Sequence, residues 1–344
     1  MKKILALIMA LCMVFALCAC STAEAPAEEP AAEDAPAEVA AEAEAEVYNI
    51  GIIQLLEHVA LDSATEGFET ALVDLLGEDG VTFDFQNAQG EAANCATIAN
   101  SLVSEDVDLI LANATAPLQA AAAATSDIPV LGTSITDYAT ALGIPGDEWT
   151  GVSGTNISGT SDLAPLDGQA DMLAELFPVA DYPNVGIIYC SAEANSIYQA
   201  TVIRGYLEDM GYAVEDFTFA DSNDIASVIT KACDESDVLY VPTDNTAASN
   251  TSAIDNVARP AGIPIVAGES GICQGCGVAT LSIDYFDIGY AAGEMAYEIL
   301  VNGADVSNME IEFAPEVTKM YNPVICEDLG ISVPEDYVAM EIAE

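Results

Sequence analysis

Positive charge is almost missing from this chain. Its 344 residues include 6 Lys plus Arg against 57 Asp plus Glu. Two of the six, Lys2 and Lys3, lie in an N-terminal leader. The other four are Arg204, Lys231, Arg259 and Lys319. Neutralising nucleic-acid phosphates requires clustered Lys and Arg, so this composition argues against nucleic-acid binding.

Histidine is also scarce, and the common catalytic motifs are absent. The one histidine is His58, and the chain has no Gly-x-Ser-x-Gly elbow, P-loop or HExxH sequence. His58 beside Glu57 offers an acid-base pair, and Ser134 or Ser196 a nucleophile. A lone histidine near a helix start is more often structural. We therefore predict a protein that is not an enzyme and that has no cofactor, metal site or catalytic residue.

Cysteine is present, but in a pattern that gives little support to metal or redox chemistry. Beyond the leader, the one close pair is Cys273 and Cys276, separated by Gln-Gly. A zinc site would need two more ligands. The surrounding glycines predict a loop, whereas a redox pair is expected to open a helix. We predict a structural or incidental pair, and the spacing leaves open whether the two form a disulfide.

The leader has the features of a secretory signal. Lys2 and Lys3 precede an apolar run from Ile4 to Leu17, which is too short to span a bilayer comfortably. The run closes with Leu-Cys-Ala-Cys at 17–20, which resembles a bacterial lipobox. We predict a lipoprotein signal peptide over 1–19 and lipidation of Cys20, which would hold the rest on the extracytoplasmic face of the cell membrane. The alternative is an ordinary secreted protein.

The segment 20–46 is predicted to be a tether. After Cys20 it is almost entirely Ala, Glu, Pro, Asp and Val, with no aromatic and no basic residue. Such a segment cannot bury enough apolar surface to offset its ordering entropy, so we expect disorder. Transient helix in its Ala/Glu-rich part is the competing interpretation.

The remaining body of nearly 300 residues is expected to form two lobes, because one core rarely grows to that size. Apolar strand-like runs such as Tyr48 to Gln54 alternate with amphipathic segments such as Ser63 to Leu76. This alternation predicts an α/β protein with parallel sheets. The pattern runs through two cycles, one from Tyr48 to about Thr136 and one from about Asp167 to Gly268.

Short polar side chains follow the predicted strands. Ligands in open α/β sheets bind beyond the carboxyl ends of the strands, so these residues are candidates for a polar cleft that takes a small molecule. The candidates are Gln54, Glu57, Thr115, Thr133, Ser134, Asn195, Ser196, Asp244, Asn245, Glu269, Asp284 and Tyr285.

The chemistry of these candidates suits a zwitterion. Hydroxyls, amides and helix N-termini hold a carboxylate. The candidates for that role are Thr133, Ser134, Asn195 and Ser196, and those for an ammonium group are Asp244, Asp284 and Glu57. Tyr285, Tyr138 and Leu55 are candidates to cover an apolar side chain. The alternative is that Thr133, Asn195 and Asp244 are only helix N-caps.

Several segments resemble one family. They include YNIGIIQLLEHVALDSATEGFETAL from Tyr48, PVLGTSITDYATALG from Pro129, VGIIYCSAEANSIYQA from Val185 and SIDYFDIGYAAGEMAYEIL from Ser282. In these, the chain resembles the ABC-transporter substrate-binding lipoproteins of the tryptophan/tyrosine type. The resemblance implies a type I periplasmic-binding fold, in which two doubly wound parallel-sheet lobes are joined by three crossovers. It also implies an aromatic amino acid as ligand, with a permease and its ATPase as partners.

The resemblance further implies a division into lobes. We expect 47–160 and 286–318 in the N-terminal lobe, and 161–285 and 319–344 in the C-terminal lobe. The alternative function is a sensory binding protein for a sugar, nucleoside or signal molecule on the same fold. Sugar pockets favour aromatic platforms, and the single tryptophan, Trp149, lies in a segment predicted to connect the lobes.

Overall fold

The computed structural model describes residues 47–342, which contain strands and helices in alternation. The predicted signal peptide and tether lie outside the described residues. The strands are β1 (Tyr48–Gln54), β2 (Val81–Asn87), β3 (Leu109–Asn113), β4 (Val130–Ile135), β5 (Ile157–Ser161), β6 (Asn184–Cys190), β7 (Ala213–Phe219), β8 (Val238–Val241), β9 (Ile265–Ala267), β10 (Ala279–Ser282), β11 (Glu312–Phe313), β12 (Thr318–Tyr321) and β13 (Val338–Ala339).

The helices fill the connections between these strands. They are α1 (Val59–Leu76), α2 (Ala92–Glu105), α3 (Thr115–Ala124), α4 (Tyr138–Leu142), α5 (Leu166–Leu176), α6 (Ala194–Asp209), α7 (Ile225–Glu235), α8 (Asn245–Ala248), α9 (Thr251–Ala261), α10 (Ser270–Cys276), α11 (Tyr285–Leu300) and α12 (Pro323–Leu329), with one 3-10 turn at Val306–Asn308. None of the described helices combines the length and apolar character that a membrane crossing requires.

The N-terminal lobe is a six-stranded parallel sheet in the order β11-β5-β4-β3-β1-β2. Helices α1 and α11 pack against one face, where Phe68 and Met295 meet Ile50 and Ile52. The two helices approach closely because glycine lies at their contact. A Cβ on Gly289 would overlap the backbone carbonyl of Ala64.

The C-terminal lobe is a seven-stranded sheet in the order β13-β12-β10-β9-β8-β6-β7. Neighbouring strands pair in parallel except for β10 and β12, so β12 and β13 run opposite to the rest of the sheet. The fully buried Tyr240 anchors one face of this sheet through a hydrogen bond from its hydroxyl to Gln169 Oε1, at 2.5 Å.

The chain passes between the lobes three times. The crossings lie between β5 and α5, between β10 and α11, and between β11 and β12. Strand β5 runs through Ser161, one residue past the boundary expected at 160. The prediction of two doubly wound parallel-sheet lobes joined by three crossovers is confirmed.

Two local predictions are wrong. Cys273 and Cys276 lie in a helix, α10, because the Glu269 side chain accepts hydrogen bonds from the first amides of that helix, on Gly271 and Ile272. Both thiols are free and buried, and burial raises their pKa values. Trp149 lies within the N-terminal lobe instead of connecting the lobes. Its ring stacks on Tyr138 with 6.4 Å between ring centroids.

We expect Gly289→Ala to lower the free energy of unfolding by about 1–3 kcal/mol, because the new methyl group forces α1 and α11 apart. The matched control is Gly205→Ala in the exposed part of α6, where a Cβ meets nothing within 4 Å. Alanine should stabilise that helix by about 0.5–1 kcal/mol. Equal free energies of unfolding for the two variants, measured by urea denaturation, would contradict this packing.

Candidate ligand-binding cleft

The carboxyl ends of the two sheets face each other across a polar cleft. His58, which follows β1, places Nε2 3.2 Å from Oδ1 of Asn245 in the other lobe. Gln199 of α6 donates from Nε2 to Thr136 Oγ1, which follows β4, at 3.5 Å. Each contact joins a residue of one lobe to a residue of the other. The structure therefore shows the two lobes closed on each other.

Two residues on the side of the cleft formed by the N-terminal lobe, here called the N-terminal rim, have unusual backbone geometry. Ala114, after β3, has φ 98°, and Ser134, in an irregular end of β4, has φ 57°. Non-glycine residues at positive φ carry strain that persists where the surroundings enforce it, and such positions concentrate at functional sites. Asn113 pairs with Thr133 in the sheet, so the two strained positions are neighbours.

Next to these strained residues lie two buried polar atoms that have no hydrogen-bond partner in the protein. Asn113 donates from Nδ2 to Leu61 O at 2.8 Å and Thr65 Oγ1 at 2.9 Å, but its Oδ1 has no partner. The hydroxyl of Ser134 is buried and also has none. Leaving a buried polar group unpaired costs about 1–3 kcal/mol. One acceptor and one hydroxyl are thus available to a polar ligand.

Helix α3 adds donors beside them. It starts after Ala114 without a side-chain cap, so its first amides are not satisfied by a capping side chain. Thr115 is buried at this helix start. The Thr133 hydroxyl forms a hydrogen bond with Thr160 Oγ1 at 3.0 Å, so it is already partnered within the lobe. Ser134, Thr115 and the start of α3 together form a surface rich in donors, which suits a carboxylate.

Gln54 is buried at this rim, but its amide is occupied within the lobe. Its Oε1 accepts from Thr65 Oγ1 at 2.6 Å, and its Nε2 donates to Leu56 O at 2.9 Å and Asp62 Oδ1 at 2.6 Å. These bonds fasten the end of β1 to α1. In this structure Gln54 positions the rim and offers no free donor.

On the opposite rim, Asp244 and Glu269 are helix N-caps. Asp244 accepts from Cys190 N at 2.6 Å and Ala247 N at 2.8 Å, while Glu269 caps α10. The N-cap alternative thus describes what Asp244 does here. Burial raises the pKa of Glu269 to about 7, and burial together with nearby Glu193 raises the pKa of Asp244.

Glu193 organises the rest of this rim. Its carboxylate accepts from the backbone N and Nδ2 of Asn245 and from the backbone N and Oγ1 of Thr246. Asn195 Nδ2 lies 3.3 Å from Glu193 Oε2 and also 3.3 Å from the hydroxyl of buried Ser196. Asn245 Nδ2 donates to Glu193, so the amide of Asn245 turns its Oδ1 towards His58. An amide oxygen can only accept, and the His58 ring must therefore be the donor.

His58 therefore acts as a contact between the lobes. Its Nε2 donates to Asn245, and its Nδ1 is buried without a partner. Burial lowers the pKa of His58, so the neutral ring is favoured.

Two predicted residues are exposed to solvent. Glu57 is exposed, and Asp284 is exposed and caps α11 through the amide of Phe286 at 2.9 Å. Tyr285 is buried, and its hydroxyl donates to Asp162 Oδ2 at 3.1 Å. Sequence reasoning missed Asp162, because the polar strand β5 before it was not recognised as a strand. Burial raises the pKa of Asp162 to about 6.

Several cavities open between the lobes, and two of them border the candidate residues. One of about 510 Å³ lies beside β2 and β7 and is lined from both lobes, by Leu55 and Ala116 on one side and Cys190 and Glu193 on the other. Its volume falls in the range of small-molecule sites. The other, of about 220 Å³, lies on the side of the crossings and includes Tyr285 in its lining.

No side-chain cation balances the buried acids of the cleft. The four basic residues of the described chain, Arg204, Lys231, Arg259 and Lys319, form their ion pairs with acidic residues outside this buried set. Among residues 47–342, no cluster of His, Cys, Asp and Glu is arranged to hold a metal ion.

These buried acids predict a pH dependence of stability. Asp162, Asp244 and Glu269 have raised pKa values in the folded protein, so the folded state holds protons that the unfolded state releases. Their contribution is present at low pH and is lost as pH rises through their folded pKa values. His58, whose pKa is lowered, acts in the opposite direction. We expect the melting temperature of the ligand-free protein to fall between about pH 5.5 and 8.

Glu269→Gln should reduce this slope, because the amide cannot ionise. Glu57→Gln, at an exposed position, is the control and should leave the slope unchanged. Melting curves for Glu269→Gln that run parallel to wild type across this pH range would contradict the assignment.

The chain is similar to known proteins along most of its length. The family model described as ABC transporter substrate binding protein matches residues 49–342. A tyrosine-binding protein of Clostridioides difficile (strain R20291) is 37% identical over 276 residues, covering 80% of this chain and 78% of that protein.

Two solved structures are similar to this chain in fold. An ABC domain from Streptococcus pneumonia in complex with L-Trp has a TM-score of 0.79 at 30% identity, covering 84% of this chain and 97% of that chain. A substrate-binding protein with adhesive properties from Clostridium difficile, in a ligand-free, open structure, has a TM-score of 0.65 at 36% identity, covering 86% and 100%.

The sheet topology, the three crossings and the cleft between the lobes agree with the family match along nearly the whole described chain. The fold is the type I periplasmic-binding fold, and the protein is a binding protein instead of an enzyme. The chain belongs to the ABC transporter substrate-binding protein family.

Proposed function

We propose that this protein captures an aromatic amino acid between its lobes and delivers it to the permease of an ABC importer. The observation that carries the amino-acid class is the pair of unpartnered buried atoms, Asn113 Oδ1 and Ser134 Oγ, beside the uncapped start of α3. An α-amino acid has an ammonium and a carboxylate on one carbon. It can therefore donate to the Asn113 acceptor and accept from Ser134 and α3 at the same time.

The charge of the cleft supports a ligand with an ammonium group. Asp162 and Glu269 are buried between the lobes, and the basic side chains of the described chain pair elsewhere. A ligand that brought only negative charge would meet no Lys or Arg there. A zwitterion brings a positive group to the acids and presents its carboxylate to neutral donors.

The aromatic character is supported by the relatives and by the cavity. One relative is named for tyrosine, and one solved structure holds L-Trp. The 510 Å³ cavity has apolar side chains that can cover a ring, among them Leu55, Leu56 and Ala116. Its two walls come from different lobes, so closure would enclose the ring.

Membrane attachment is the second part of the proposal. We infer that the signal peptide is removed before Cys20, that Cys20 is lipidated, and that residues 20–46 tether the body to the extracytoplasmic face of the cell membrane. The support is the leader sequence, with its Leu-Cys-Ala-Cys ending at 17–20, and the acidic Ala/Glu/Pro composition that follows.

Isothermal titration calorimetry with tyrosine, tryptophan and phenylalanine tests the ligand. We expect binding of at least one of them, and a dissociation constant about tenfold higher for Ser134→Gly, which removes the hydroxyl without adding strain at φ 57°. Glu57→Gln is the control and should bind within about twofold of wild type, since Glu57 is exposed.

The absence of heat with all three amino acids, on protein shown to be folded, would refute the aromatic ligand. Unchanged affinity in Ser134→Gly would refute the assignment of its hydroxyl to ligand binding.

A further inference from the structure

The ring of His58 reaches across the cleft from the N-terminal lobe. His58 directly precedes α1, and its Nε2 lies 3.2 Å from Oδ1 of Asn245, the first residue of α8 in the C-terminal lobe. The Asn245 oxygen can only accept, so Nε2 carries the hydrogen of this bond. A neutral imidazole has one N–H group, and this contact uses it. The bond between the lobes is therefore complete when His58 is uncharged.

The acceptor is held in place from its own lobe. The backbone N and the Nδ2 of Asn245 both donate to Glu193 Oε2, at 3.0 Å and 2.7 Å. These two bonds fix the amide plane, with its oxygen directed at the opposite lobe. Closure therefore brings the His58 donor to an acceptor that is already oriented.

The second nitrogen of the ring has no place for a proton while the lobes are closed. His58 Nδ1 is buried and has no hydrogen-bond partner in the described protein. A protonated ring carries hydrogens on both nitrogens, so its Nδ1 hydrogen would be buried without an acceptor. Separation of the lobes would give water access to the ring. Charging His58 is therefore less favourable in the closed state than in the open state.

The charged groups around the ring do not reverse this difference. Asp62 of α1 and Glu193 attract a positive ring, but Asp62 already accepts from the end of β1 at 2.6 Å and Glu193 from Asn245. Glu57, the preceding residue, is exposed. A cavity of about 300 Å³ beside the ring is lined from α8, α9, α10 and the C-terminal segment by uncharged residues. Burial outweighs the attraction, and the pKa of His58 is lowered.

We propose that His58 is a positioning residue that holds the lobes closed through Asn245 while its ring is neutral and lets them separate when the ring is protonated. It acts on the equilibrium between open and closed lobes instead of through contact with the ligand. The effect on closure stands by itself, whereas its consequence for the capture of an amino acid rests on the function proposed above.

The ratio of closed to open molecules without ligand tests the bond. It is measured by single-molecule fluorescence energy transfer between labels at exposed Ala96 of α2 and Ala226 of α7, carried on non-natural amino acids so that the native cysteines remain. At pH 8 we expect the ratio to fall about tenfold in His58→Ala, which removes the donor. His58→Gln should stay within about threefold of wild type, because its Nε2 can donate to the same oxygen.

The pH dependence separates the ring from the other titrating groups. In open lobes the ring is expected to have its ordinary pKa of about 6.5, whereas in closed lobes its pKa is lower. The open state therefore binds more protons as the pH falls, and acid favours opening. From pH 8 to 5.5 the ratio in wild type should fall about three- to tenfold more than in His58→Gln. Asp162, Asp244 and Glu269 titrate in both proteins, so this comparison removes their contribution.

Two controls show whether the effect passes through Asn245. On an Asn245→Ala background, His58→Ala should change the ratio by less than about twofold, because the acceptor is already gone. An undiminished effect there would overturn the proposal. Tyr240→Phe removes a buried hydrogen bond within the C-terminal lobe, to Gln169, so it should lower the melting temperature and leave the ratio unchanged.

Titration with tyrosine supplies the second readout. Tyrosine stays a zwitterion between pH 5.5 and 8, so its own charge does not change. Its dissociation constant should rise, as the pH falls, about three- to tenfold more in wild type than in His58→Gln. A loss of affinity in His58→Ala with an unchanged ratio of closed to open molecules would overturn the proposal and assign His58 to the ligand.

Equal ratios in wild type and His58→Ala at pH 8 would also overturn the proposal, as would ratios in wild type and His58→Gln that change in parallel with pH. A wild-type protein that binds no tyrosine would contradict the proposed function only, because the comparison without ligand would still decide the role of His58.

Discussion

The polar groups buried between the two lobes are balanced without any positive side chain. Asp162, Asp244 and Glu269 are each less than 5% exposed, and the basic residues of the described chain lie elsewhere. A buried carboxylate without a cation needs other donors. Backbone amides at helix starts supply them for Asp244 and Glu269, and hydroxyls supply them for Asp162. The shape of the cleft follows from this arrangement.

Those donors also determine what each part of the cleft can do. An acid that caps a helix is held in place by two amides, so it shapes the rim and has little freedom to meet a ligand. An acid held by hydroxyls is different, because a hydroxyl can rotate, whereas a backbone amide at a helix start cannot. Asn113 and Ser134 complete the set, since their unpartnered atoms lie at or next to the strained residues Ala114 and Ser134.

Much of the fold could be predicted from the sequence. Strand β1 was predicted with its observed ends, because it is a largely apolar run ahead of the amphipathic segment that forms α1. Strand β5 was missed, since its sequence ISGTS contains little apolar surface. Its polar side chains are satisfied by distant partners: Ser158 donates to Met309 O and Thr160 to Ile288 O, each at 3.0 Å. Partners more than a hundred residues away leave no local pattern.

The location of the site could be predicted from the sequence, but the roles of its individual residues could be predicted less well. The rule that polar residues after strands line a cleft located Thr133, Ser134 and Asn195, all of which are buried. It could not separate Glu269, which is buried, from Glu57 and Asp284, which are exposed. That difference depends on where each loop turns, which the residue type does not encode. The α10 helix was missed for a similar reason, as its cap depends on the rotamer of one glutamate.

The most direct test of this account is a crystal structure of the protein grown with L-tyrosine. The account predicts one amino acid enclosed between the lobes, with its ammonium at Asn113 Oδ1 and its carboxylate at Ser134 and the start of α3. An amino acid bound on an outer face, or closed lobes that hold tyrosine away from Asn113 and Ser134, would contradict it.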